Sequence, residues 1–436
     1  MGTTKKTPSL IRRIRHAIDA LRTGDATPDP VGDGVPDMLG AFGTTLLAAS
    51  QATPDIESDL RAVADAYGQR DLKLAVLPTL VLVSDSTRAT VYSDVGQPLR
   101  LDQVAALGQE VRRAAHEQPP PAQMIDRIRT IRAAPPRFRV ATTIFGHTIL
   151  TLGFGLVLNP TVTALPAYVV LGAIVGTIVA FGSRLATLSL ILPVVTAFLV
   201  TVLTAQLLAQ WVGEDPLRIV APPLASFLPG LALTIAAVEL TRGQIIAGAS
   251  RLVYGTAQLV LLAFGVYAGM IVVGGQLPTD ADAPALGAWA PWVGIVLTGI
   301  GYALWASAPK GALPWVIAAL AVAHGAQLLG NLVTGPELSG FIGALVVAPF
   351  ARLAGRFPSA PPAIVLTICG FWILVPGALG FIGVTEAASH SEDATDALFT
   401  TAITVIAIAI GMLVGSGLTR DLSAMRRAWR VPHPDA

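Results

Sequence analysis

The sequence predicts an all-α polytopic membrane domain, ten transmembrane helices forming two inverted five-helix repeats with broken helices, behind a small N-terminal α/β cytoplasmic domain. Three observations support this. The 436 residues are 53% hydrophobic and only 13% charged, about half the charge of a soluble domain, which places the chain among integral membrane proteins. The charge is uneven, because residues 1–139 hold 34 of the 57 Asp, Glu, Lys and Arg while residues 140–419 hold 17. An interrupted apolar segment also recurs: Leu228-Pro229-Gly230 and Val375-Pro376-Gly377 stand 147 residues apart, each followed nine residues after its glycine by an acid, Glu239 and Glu386.

The net charge of +1 argues against nucleic acid as a partner. The lone Cys369 lies in an apolar segment, so neither a disulfide framework nor a thiolate metal site is expected, and no motif calls for a cofactor. Residues 1–36 read as an amphipathic helix over 8–22, suited either to an anionic leaflet or to its own domain, and then a Gly/Pro/Asp linker. The basic start has no apolar core with a cleavage site, so the first domain is expected to stay in the cytoplasm.

Residues 37–136 read as the α/β domain. A helix over Met38–Ala49 precedes a second one opened by Thr53-Pro54-Asp55 and ended at Gly68, with Ile56, Leu60, Val63 and Tyr67 at helical spacing. Leu72–Val83, which Pro78 either divides into two strands or places on a sheet edge, and Arg88–Tyr92 are β-rich, and helices over Asp102–Glu117 and Gln123–Arg132 close the domain. Its expected role is regulatory or structural.

Charge-free runs then cover 140–183, 185–213, 219–238, 252–279, 283–309, 311–336, 357–385 and 397–419, with a shorter one at 338–351. The first is long enough for two helices, broken near Asn159-Pro160, which brings the count to ten spans: five in 137–276 and five in 284–420, before a basic tail over 421–436. With the N-terminus inside, the inner connections carry Arg184, Arg242, Arg251, Lys310, Arg352 and Arg356. The outer ones carry only Arg218 among nine acids, so both termini are expected in the cytoplasm. Five spans per half is odd, so the halves enter the membrane from opposite sides. Inverted repeats meeting at broken helices are the architecture of secondary transporters.

Ser226–Gly255, SFLPGLALTIAAVELTRGQIIAGASRLVYG, resembles the signature of the threonine/serine exporter family through Pro229, Gly230, Leu233, Thr234, Glu239, Gly243, Gly248 and Arg251. Phe371–Phe381 is similar to the family's second-half LVPG segment, and Pro54–Gly68, with Glu57, to its cytoplasmic domain; the resemblance covers roughly Met38–Leu418. Some members carry Asn after the Thr and Asp at the acid, where this chain has Ile235 and Glu239. The resemblance implies export of threonine, serine or a similar small amino acid from a bacterial cytoplasm across the plasma membrane, driven by protons. Export of a dicarboxylate such as succinate is the alternative, and a membrane-embedded enzyme or sensor is the second.

The expected partners are thus a small amino acid or carboxylate, protons and the bilayer, with a homo-oligomer left open. Pro229-Gly230 and Pro376-Gly377 are the expected substrate clamp, since a helix N-terminus at a break offers free N–H groups to a carboxylate. Ser226 and Thr234 flank the first break, and Gln327 and Asn331 share a face with His324, so these four are candidate substrate contacts. Glu239, Glu386, His147 and His324 are candidate proton carriers, with Arg242 and Arg251 as ion-pair partners of Glu239. For each of the four a bland role is the alternative: a solvated loop acid, or a histidine bonded to a neighbouring helix.

Overall fold

A computed structural model describes residues 34–84, 89–182, 186–208, 216–274, 285–374, 381, 385 and 394–428. The expected helix over 8–22, the second break at Pro376-Gly377, and Glu386 lie outside these residues.

The N-terminal unit opens with helix α1, Val35–Ala48, which begins before the expected Met38 because Pro36 sits at its first turn. Helix α2, Thr53–Ala66, ends where Gly68 takes φ 73°, a left-handed stop that suits glycine. Strands β1 (Lys73–Leu77), β2 (Leu80–Ser84) and β3 (Ala89–Tyr92) form an antiparallel sheet in that order. Pro78-Thr79 is the turn between the first two, so proline, which cannot donate to a ladder, sits at a strand end. Helices α3, Leu101–Glu117, and α4, Pro121–Ala133, complete the unit. Met38, Phe42, Ile56, Leu60, Val81, Leu107, Met124 and Ile128 are wholly buried between these elements.

Apolar helices follow. Helices α5 (Val140–Leu158) and α6 (Leu165–Gly182) part at Asn159-Pro160. Then come α7 (Ala186–Leu203, ending in a π turn over 204–208), a short α8 (Pro216–Val220), α9 (Gly230–Thr241) and α10 (Ile245–Val272). The last five are α11 (Ala290–Trp305), α12 (Leu313–Thr334), α13 (Pro336–Ala354), α14 (Ala363–Ile373) and α15 (Ala394–Ala428). Among the described residues α5, α6, α10 and α12 are long and apolar enough to cross a bilayer. Six further apolar helical stretches, over 191–206, 225–241, 290–305, 338–354, 363–373 and 402–418, are 17 residues or shorter. Helix α10 turns Val253, Tyr254, Val260, Phe264 and Ile271 outward. With so little charge in the segment, such a face belongs to a protein solvated by lipid.

Between these helices, small residues do the packing that water would otherwise drive. Helices α5 and α11 meet backbone to backbone. A Cβ placed on Gly153 would sit 2.7 Å from the carbonyl of Gly294, and one on Gly294 the same distance from the carbonyl of Gly153. Gly146 and Gly301 oppose each other in the same reciprocal way, at 3.1 and 2.7 Å. Elsewhere Gly265 and Gly269 of α10 lie on the carbonyls of Val194 and Phe198 in α7. Gly411 and Gly415 of α15 lie on those of Phe341 and Leu345 in α13. The second set stands 146 and 147 residues after the first.

Candidate functional site

The span around Pro229 is interrupted. After α8 the chain turns through Ala221–Leu224, makes one 3-10 turn at Ala225–Phe227, runs extended at Leu228 and restarts as α9 at Gly230. Three prolines, at 222, 223 and 229, remove the backbone donors that a continuous helix would use. Helix α9 packs on α10, α15 and α14.

A cavity of about 590 Å³ opens between α9, α14, the last turns of α13, the middle of α15 and the N-terminal unit. Leu231, one residue past the first break, and Phe371 on α14, the helix that precedes the second Pro-Gly pair in sequence, both line it. Ile235, Val238, Ile368 and Met412 make the rest of its apolar wall. Its charged groups are Asp55 and Asp59 from α2 with Arg242 and Arg352 from the membrane side, and Ser416 and Thr367 add hydroxyls. A smaller cavity of about 190 Å³ adjoins it, sharing Gln51, Asp59, Ala363 and Ile364.

The N-terminal unit is joined to the apolar helices by two helix N-termini, each satisfied from the membrane side. Helix α2 has no side-chain cap of its own, and the N–H of Thr53 donates instead to Oε1 of Glu239, 2.9 Å away. At the start of α3 the N–H groups of Leu101 and Asp102 donate to the carbonyls of Ala306 and Ser307, just after α11, at 3.0 and 3.1 Å. Orphan donors at helix starts are thereby paired across the boundary, and a carboxylate also suits the positive end of the α2 dipole.

Glu239 is fully buried, so it is not the solvated loop acid its place at a span end suggested. Its Oε2 lies 3.2 Å from Nε of Arg251, an ion pair too poorly aligned to count as a hydrogen bond. A tight helical hairpin brings the two together. Gly243 takes φ 77°, the N–H of Gln244 returns to the carbonyl of Glu239, and Gly248 packs where a Cβ would lie 2.7 Å from the carbonyl of Ala236. Arg242, expected beside Glu239, instead bonds Asp55 at 2.8 Å and Ser416 at 3.1 Å, and Arg251 also reaches the carbonyl of Gln51.

The remaining candidates among the described residues lie outside the chamber lining. Ser226 accepts or donates 3.1 Å from Nε2 of His147, whose Nδ1 lies 3.1 Å from the carbonyl of Gly172. Both ring nitrogens of that buried histidine are therefore engaged by protein, and its edge meets Trp305 in a cluster with Tyr302 and Trp372. Thr234, expected to reach substrate, donates to the carbonyl of Gly230 in its own helix and is buried. Pro229 caps α9, and Gly230 opens it. On α12 the three polar residues part company. His324 is buried edge-on to Trp292 with neither ring nitrogen bonded, Gln327 lies against Gly343 of α13, and Asn331 is exposed. Glu57 pairs with Arg61 on the surface.

Asp55, Asp59 and Arg352 were missed as site residues. The available signal was the i, i+4 spacing of the two acids on one face of α2, but nothing local says that this face meets a membrane domain.

Comparison with known proteins gives two matches. Residues 37–273 match the family model ThrE, described as a threonine/serine exporter, and residues 292–417 match a second, described as Threonine/Serine exporter, ThrE. Neither the curated proteins nor the solved structures gave a match.

Proposed function

Because the chain belongs to the threonine/serine exporter family, we propose that it is a secondary transporter exporting a small amino acid such as threonine or serine from a bacterial cytoplasm in exchange for protons. The observation that supports this best is the chamber itself. It is lined by the N-terminal unit on one side and reaches Leu231, next to the first Pro-Gly pair, and Phe371 on α14, and broken helices are where transporters hold their cargo.

The ten-span, inverted-repeat arrangement is part of the same proposal. Reciprocal glycine contacts between α5 and α11 are what a pseudo-two-fold axis between the first spans of two oppositely threaded halves produces. The matching α7–α10 and α13–α15 seams are what equivalent third and fifth spans produce. Both termini then lie in the cytoplasm, as the arginine distribution requires. Pro376-Gly377 would complete the clamp opposite Pro229-Gly230.

Among the histidines, His324 suits proton coupling better than His147, whose two nitrogens are already bonded. Efflux of labelled threonine, serine and succinate from proteoliposomes tests the function. Threonine or serine efflux accelerated by an acid exterior and slowed by a protonophore is expected; gradient-driven loss of succinate alone would replace the amino-acid reading with the dicarboxylate one. A His324→Gln variant is expected to keep threonine exchange at equal pH and to lose most of the gradient's acceleration. Unchanged acceleration would remove His324 from the coupling path.

A further inference from the structure

Resting on the exporter reading above, we propose that the N-terminal unit is itself half of the substrate site: Asp55 and Asp59 receive the ammonium of an α-amino acid, and Arg242 and Arg352 hold its carboxylate. The four are the charged residues among those lining the chamber, and their charges cancel. A zwitterion brings one charge of each sign into such a space and leaves the balance intact. A dicarboxylate brings two negative charges towards two acids with no added cation, so the chamber discriminates against it by repulsion.

The opposite charges also come from opposite walls. Asp55 and Asp59 lie one helical turn apart on α2 of the N-terminal unit, whereas Arg242 ends α9 and Arg352 lies in the last turn of α13. The Arg242–Asp55 pair, 2.8 Å long, already joins the two walls, with side chains only 15% and 31% exposed, so an ion pair across this gap is sterically at home. Asp59 meets Nε2 of Gln51 at 2.8 Å where the large and small cavities adjoin. A neutral amide in that position can yield to an ammonium, because charge-assisted bonds are the stronger. The volume of about 590 Å³ lies in the range of small-molecule sites. Beside the charges, Thr367 donates to its own helix, at the carbonyl of Ala363. A hydroxyl that donates keeps its capacity to accept, which suits a cargo hydroxyl.

The test uses the full chain in proteoliposomes. With wild-type protein, labelled threonine uptake is competed by unlabelled threonine, by 3-hydroxybutyrate, which lacks the ammonium, and by succinate. The first is expected to compete at least about tenfold better than either of the others. Asp59→Asn is expected to raise the threonine KM about tenfold or more with little change in maximal rate, and Asp59→Glu to restore most of the affinity. Equal competition by 3-hydroxybutyrate, or an unchanged KM in a correctly folded Asp59→Asn protein, overturns the assignment. Wild-type protein that moves succinate and no amino acid overturns the exporter reading beneath it, and this shows before any variant is made.

Discussion

Glu239→Ala is expected to lower stability by about 3–5 kcal/mol, because it leaves the Arg251 guanidinium buried without its counter-charge and the N-terminus of α2 without its acceptor. The loss is expected as a lower unfolding temperature in detergent and as faster protease cleavage in the 134–139 connector, since the N-terminal unit loses one of its two capped attachments. Glu239→Leu with Arg251→Met, which removes both charges and keeps comparable volume, is expected to recover most of the unfolding temperature. A single variant as stable as wild type would show that the carboxylate does not hold the boundary together.

The second large effect lies at the crossing of α5 and α11. A Cβ at position 301 would stand 2.7 Å from the Gly146 carbonyl and closer still to the Leu150 backbone, and Gly301→Val adds two further carbons there. Backbone cannot give way as a flexible side chain can, so the helices must separate, at a cost of about 3 kcal/mol or more. Little monodisperse protein is expected on extraction. Gly417→Ala is the control, since nothing lies within 4 Å of that position and the helix gains a better former. Equal yields from both variants would remove the seam from the account of stability.

Some of this was written plainly in the residues. The low charge announced a membrane protein, and the prolines at 222, 223 and 229 announced an interrupted span, because both are local effects of composition and of missing donors. The helix start at Thr53-Pro54 and the turn at Pro78 were legible for the same reason. The chamber was not. Its charged lining joins residues nearly three hundred positions apart, and only packing decides that α2 meets α9. Glu239 was misjudged because its distance from the span centre suggested water, whereas the N-terminal unit covers it. Thr234 shows the opposite limit. Its place beside the break was evident from sequence, but the hydroxyl's choice of its own helix is a rotamer that no spacing reveals.

The pairing of Thr53 with Glu239 also constrains biosynthesis. The N-terminal unit is complete by Ala133, yet its acceptor emerges about a hundred residues later, roughly 5–20 s at about 5–20 residues per second. The chain segment that forms the second attachment, after α11, comes later again. During that interval the bare start of α2 and the acids beside it face water, so the nascent unit must stay soluble on the strength of its own core before the membrane half arrives to cover them.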